Sequence, residues 1–372
     1  MGKRCFFIAF LLLFLTINAF AWVYPEHRYI ALLTIKNLNP THKQQLDELW
    51  KLARTGYENR LSAGVAEADQ ALSSAQLDYA AWTAIGGDHS YSAQNLLHNV
   101  LETDWIINVS RIAAQLRLDI VNAKTQSQHN NALRGSDIKL LRADLEYISR
   151  AGSNNAHFLL PRENADLNID NYIAECIGNG ADLNALGLYA LFHKSALLKA
   201  SRYNISDLSV PEKAALIRAS LADEAFALHF LQDVFAAGHT TGSWGNSALR
   251  KGTHDYYNEK GLEVTLWGGK RSVIMGDAYI TENNAETAAM TCRLSLEELL
   301  SVTFGQKKIN NIGSDPRRSA EPNDFNISQT NYMPDGSYDL DFLKTVVLQT
   351  PMPGLKAGLG ETPRFRAELG KF

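Results

Sequence analysis

SVPEKAALIRASLADEAFALHFLQDVFAAGH, residues 209–239, decides the fold. Ser209, the early Pro211 and Glu212 form a capping box, which predicts a helix start at this point. The apolar residues that follow carry the helix to Gly238. Its far end holds His229 and Asp233, four apart and so on one helical face, then His239 just past the glycine. A carboxylate buried without a partner costs several kcal/mol, on the order of 3–5. Asp233 therefore needs either a hydrogen-bonded core partner or a metal ion.

Helical periodicity continues on both sides. Asn39 and Pro40 open a predicted helix over 39–54. Residues 92–124 and 136–152 repeat apolar positions at three- and four-residue spacing, the second stopping at Gly152. Residues 184–203 are apolar nearly all round, which predicts burial, and 284–305 form the last clear helix. From Lys307 the chain turns polar and loop-like, and its end is rich in Pro and Gly. The expected class is mainly α.

The first residues read as an export signal. Lys3 and Arg4 precede a 13-residue apolar run and Ala19-Phe20-Ala21, a small-x-small cleavage site, so cleavage is expected between Ala21 and Trp22. The run is short for a membrane span, and no later segment is long and apolar enough for one. Without Lys3 and Arg4, 34 basic residues face 40 acidic ones, a balance that argues against a nucleic-acid partner. Cys176 and Cys292 remain after cleavage, as a disulfide or as two buried thiols.

Other candidate ligands surround the helix. The expected mature N-terminus is Trp22, followed by His27. Residues 77–90, LDYAAWTAIGGDHS, offer Asp78 and His89. His254 is followed four residues later by Asn258. Imidazole and carboxylate together suit zinc. His42, His98, His129, His157 and His193 fit no such pattern and read as structural or surface residues.

The ordered set Trp22, His27, Asp78, His89, His229, Asp233, His239 and His254 resembles the zinc-dependent phospholipase C family, whose superfamily includes the fungal single-strand-specific zinc nucleases. The ending PRFRAELGKF is similar to the tail of secreted bacterial phosphatidylcholine-preferring members. The resemblance implies a multi-helix single domain around a trinuclear zinc site, with a signal peptide at 1–21, a catalytic domain at 22–310 and a loop-rich extension at 311–372. Residues 311–372 are too few for the lipid-binding β-sandwich of the toxin branch.

By that resemblance, the Trp22 amine and carbonyl, His27 and Asp233 would hold one zinc. Asp78, His89, His229 and a bridging Asp233 would hold a second. His239, His254 and Asn258 would hold a third, Asn258 standing where the family has Glu or Asp. Asp78 would orient or deprotonate the attacking water as the catalytic residue, and Tyr79 matches a headgroup-contacting aromatic. The implied reaction is hydrolysis of phosphatidylcholine-like phospholipids at membrane surfaces to diacylglycerol and phosphocholine by a zinc-activated hydroxide. A 3′-nucleotidase or single-strand nuclease is the alternative enzyme, and a metal-stabilised binding protein the alternative without catalysis.

Overall fold

The computed structural model describes residues 22–67, 75–147, 155–205, 207–241, 244, 247–276, 278–309 and 325–356. The expected leader, its cleavage junction at Ala21 and the PRFRAELGKF tail fall outside these residues. The described chain is mainly helical, with thirteen helices and one two-stranded sheet. Among the described residues, no helix is long and apolar enough to cross a membrane.

The helix expected over 209–238 is the centre of the molecule. It runs Val210–Asp233 (α9), behind the Ser209–Glu212 capping box, and every residue from Ser220 to Asp233 is buried. Its longest contact is with Ala185–Ile205 (α8). Around this pair pack Tyr24–Lys36 (α1), Pro40–Ala53 (α2), Tyr79–His89 (α3), Ala93–Glu102 (α4) and Glu282–Thr303 (α12). One continuous apolar core runs from Trp22 to Val347. A smaller cluster of Ala237, Tyr257, Val264, Leu266 and Ile274 joins Ala237–Thr241 (α10), Ser247–Lys260 (α11) and the hairpin Leu262–Thr265 (β1) with Arg271–Ile274 (β2).

Three boundaries differ from the periodicity. Residues 92–124 are two helices, α4 and Trp105–Asn122 (α5), because Arg60 binds the carbonyls of Val100 and Thr103 and the Asp104 carboxylate at the junction. Of the helix expected over 136–152, residues 148–152 lie outside the described ones, and 136–143 belong to Gln126–Ala143 (α6), which starts earlier and is capped by Thr125. It stops where the Asp144 carboxylate turns to His89. And α9 ends at Asp233, not Gly238. The Ala237 N–H goes to the Met275 carbonyl at 3.0 Å and the Gly238 N–H to Asn258 Oδ1 at 2.6 Å, so the next turn is redirected into α10.

Of the stretch 311–372, residues 325–356 are described, and they are mostly irregular with one helix. Leu340–Val347 (α13) follows Ile169–Ile177 (α7) in chain order and packs against it, and Ile327, Val346 and Val347 are fully buried in the common core. Cys176 and Cys292 are two buried free thiols, which settles the cysteine alternative against a disulfide.

Candidate metal centre

The site is assembled around the last turn of α9. The His229 ring donates Nδ1–H to the Thr83 carbonyl at 2.9 Å, which leaves Nε2 as the lone-pair nitrogen. His27, on the first turn of α1, bonds through Nδ1 to Gln232 Oε1 at 2.7 Å and so also presents Nε2. The two rings stack with centroids 4.2 Å apart. Trp22, fully buried, donates its indole N–H to the Gln232 carbonyl at 2.9 Å, beside Asp233.

Asp233 faces four imidazoles. Its Oδ1 lies 3.5 Å from His27 Nε2 and 3.8 Å from His239 Nδ1. Its Oδ2 lies 2.8 Å from His157 Nδ1 and 3.5 Å from His229 Nε2. Asp88 Oδ1 is 3.9 Å from His229 Nε2. Two groups have the spacing to hold an ion, His27–His229–Asp233 and Asp88–His157–His229, each with its ligand atoms within 4.8 Å of one another. His229 belongs to both.

Close backbone approach makes this possible. A Cβ at Gly86 would stand 2.6 Å from His229 Cβ, and one at Gly87 would stand 2.7 Å from His157 Cε1. Gly86 also breaks the helical path of α3, with φ −38° and ψ −119°, just before Asp88.

Burial sets the electrostatics. It pushes His27 down to about 3, and pushes His229 and His239 well below the usual imidazole range, with neighbouring imidazoles adding to the effect. It pushes Asp233 well above the usual carboxylate range. The imidazoles are therefore neutral, the form that ligates a metal. His27 Nε2, His229 Nε2, His239 Nδ1 and Asp233 Oδ1 are buried with no hydrogen-bond partner among the described residues. Each such atom costs about 1–3 kcal/mol of lost solvation. A cation among His27, His229 and Asp233, whose ligand atoms lie within 4.8 Å of one another, would satisfy three of the four, so these residues fit a metal ion.

The structure brings together Trp22, His27, His229, Asp233 and His239 of the expected set. It does not bring Asp78. That carboxylate caps α3 by accepting the Ala81 N–H at 2.9 Å, accepts the Glu67 N–H at 2.8 Å and pairs with the buried Arg28. Both its oxygens carry hydrogen bonds, and Asp78 is in neither ion-sized group. His89 is in neither ion-sized group. Its Nδ1 meets Asp144 Oδ2 at 3.0 Å and its ring stacks on Tyr147 at 4.6 Å. Tyr79 is 1 % exposed and packs against Trp50 and Trp82 in the core.

The third set is altered too. His254 lies beside His239, ring centroids 5.0 Å apart, and its Nδ1 meets Asp255 Oδ1 at 3.1 Å. Asn258 spends Oδ1 on the Gly238 N–H and turns Nδ2 toward His254 Nε2 at 3.2 Å. Asn258 thus braces the α10 turn through its amide oxygen, the atom through which an amide ligates.

Asp88 and His157 were missed. The sequence carried a signal for Asp88, since Gly86-Gly87 before it marks a close backbone approach. His157 stands alone in NNAHFLLP with no spacing to any other candidate. No protein-family model, curated protein or solved structure matches the chain.

Proposed function

We propose that the protein is a zinc-dependent phosphodiesterase, exported and trimmed to Trp22, that cleaves phosphatidylcholine-like phospholipids to diacylglycerol and phosphocholine. The observation that carries this is the Asp233 carboxylate, whose two oxygens face different imidazoles within a buried nest of four histidines. Donors of nitrogen and carboxylate oxygen suit zinc. His27, His229 and Asp233 would hold one ion. Asp88, His157 and His229 would hold a second, replacing the Asp78 and His89 of the resemblance. Bound zinc would neutralise the phosphodiester oxygens and favour attack by water. Asp88 takes the water-orienting role first expected of Asp78. The resemblance to the phospholipase C family supplies the substrate class, and the excess of acidic over basic residues favours a lipid over a nucleic-acid polyanion.

The test is metal analysis with paired assays on phosphatidylcholine and single-stranded DNA. About two or more zinc ions per chain and release of phosphocholine are expected. Less than one ion in the folded protein refutes the metal centre, and cleavage of DNA without lipid moves the substrate to nucleic acid.

A further inference from the structure

We propose that the outer side of the α5–α6 hairpin is a docking surface for an anionic phospholipid bilayer. The proposal lies outside the metal centre and does not depend on it. The two helices pack on each other, and past Leu116 of α5 the rest of the molecule covers little of either. In α6 only Ser136 and Leu140 are buried.

Two properties set this hairpin apart. The first is exposed aliphatic surface. Leu118, Val121, Ile138 and Leu145 are 45, 75, 44 and 88 % exposed, and Val121 and Leu145 are the two most exposed large hydrophobic residues among the described ones. The second is charge. Residues 105–143 carry Arg111, Arg117, Lys124, Arg134, Lys139 and Arg142 against Asp119 and Asp137. Taking these from the 34 basic and 40 acidic residues after Ala21 leaves 28 and 38, so a basic hairpin stands on an acidic protein. Arg117, Lys124, Arg134, Lys139 and Arg142 are all exposed, and none forms an ion pair among the described residues.

Both properties share one side of each helix. On α6, Arg134, Ile138 and Arg142 follow at four-residue spacing, with Leu145 three residues further, just past the helix end. They lie opposite Ser136 and Leu140. On α5, Arg117 and Val121 repeat the spacing, with Lys124 just beyond the helix. Cations beside exposed aliphatic side chains fit the surface of an anionic bilayer, where the cations meet lipid phosphate and the aliphatic groups enter the acyl boundary. A nucleic-acid strand fits less well, because residues 106–146 hold no Phe, Trp or Tyr on which a base could stack. The hairpin is also firmly held. Gln126 donates to the Tyr279 hydroxyl, which donates to Asn130 at 3.3 Å, and Asp144 meets His89 at 3.0 Å. These contacts fix it to the loop before α12 and to α3.

The test is sedimentation of the full chain, expressed for export, with vesicles of phosphatidylcholine alone or mixed with phosphatidylglycerol. Lipid phosphorus released to the supernatant is measured on the same samples to account for cleavage. The wild type should bind the mixed vesicles at least about tenfold better, and the preference should vanish between about 0.1 M and about 1 M salt. Each cation at an anionic surface is worth about fivefold in binding, so Arg134→Gln with Arg142→Gln should lose about 25-fold. Val121→Asp with Leu145→Asp should lose about tenfold or more. Both pairs lie on exposed side chains, and circular dichroism checks that the helices persist. Val210→Asp with Leu340→Asp makes the same charge change at exposed residues of α9 and α13 and should bind as the wild type does. Equal binding to both kinds of vesicle, or to neither, overturns the proposal. So does a folded hairpin variant that keeps full binding, or a Val210 and Leu340 control that loses as much. Capture of a single-stranded oligonucleotide without vesicle binding would move the surface to nucleic acid.

Discussion

His157 Nδ1 lies 2.8 Å from Asp233 Oδ2, although 76 residues separate them in sequence. This contact ties the strand of chain before α7 to the last turn of α9, and it brings in a histidine that no spacing marks. His157→Ala should lower zinc content and reduce kcat/KM by about 10²-fold or more, the scale seen when a metal partner is removed. His98→Ala, at an exposed histidine of α4, should change neither. Metal analysis of the two purified variants checks this, and equal zinc in both would remove His157 from the centre.

Gly87→Ala should disable the site through sterics alone. The new methyl would sit 2.7 Å from His157 Cε1 and 2.8 Å from His229 Cδ2, closer than van der Waals contact permits. Both rings must move. Overpacking of this kind typically costs about 1–3 kcal/mol. Thermal unfolding should show that loss, and zinc titration a weakened or missing ion. A Gly87→Ala protein with full zinc content would mean that the rings have room to shift without loss of ligation.

Asp78 and Asp88 should separate stability from metal binding. Asp78→Asn strips the buried Arg28 of its charge partner, a loss that typically costs about 3–5 kcal/mol. Its zinc content should stay at the wild-type level in the folded fraction. Asp88→Asn should do the reverse, keeping most of the stability and losing an ion. Urea unfolding with metal analysis on the same samples distinguishes them, and the opposite pattern would return Asp78 to the ligand set.

A second buried cluster predicts a pH dependence. His193 bonds through Nδ1 to Glu224 Oε2 at 2.7 Å and through Nε2 to Glu298 Oε2 at 2.9 Å, between the rings of Tyr189 and Phe342. Burial alone would lower its pKa, but the two carboxylates override it and raise the group to about 9. A raised pKa in the folded state stabilises fully below the unfolded value of about 6.5 and fades as pH climbs through about 9. The effect is on the order of 3 kcal/mol. The stability difference between wild type and His193→Gln should therefore be largest below about pH 6.5 and shrink above about pH 9. Urea unfolding across that range measures it. A difference that is flat or grows with pH would show His193 to be neutral in the fold.

Much of the scaffold follows from local chemistry. The Asn39 and Ser209 caps, the apolar periodicity of α8, α9 and α12, and the His229–Asp233 pair on one face of α9 are all fixed by contacts within four residues in sequence. Such contacts leave a mark in the order of residues, so the helical class and the core of the site could be read there. The helix ends at Glu102, Ala143 and Asp233 could not. Each is set by a distant group, Arg60, His89 or Asn258, that captures the backbone or a carboxylate at the terminus.

The ligand set divides along the same line. His229 and Asp233 are joined by helical geometry, whereas the remaining imidazoles and carboxylates reach them only through packing. In LDYAAWTAIGGDHS the sequence offers two aspartates and a histidine, and the Gly86-Gly87 pair before Asp88 is the single local hint among them. The tertiary structure chooses. Arg28 and the first turn of α3 take both oxygens of Asp78, while the two glycines let the backbone approach α9 closely enough to place Asp88 near His229. The sequence by itself determined a helical protein with a histidine–aspartate pair at the end of its central helix. Which distant residues complete that pair was decided by the packing of α1, α3 and the His157 segment against α9, because these side chains come from segments too far apart in sequence for local contacts to bring them together.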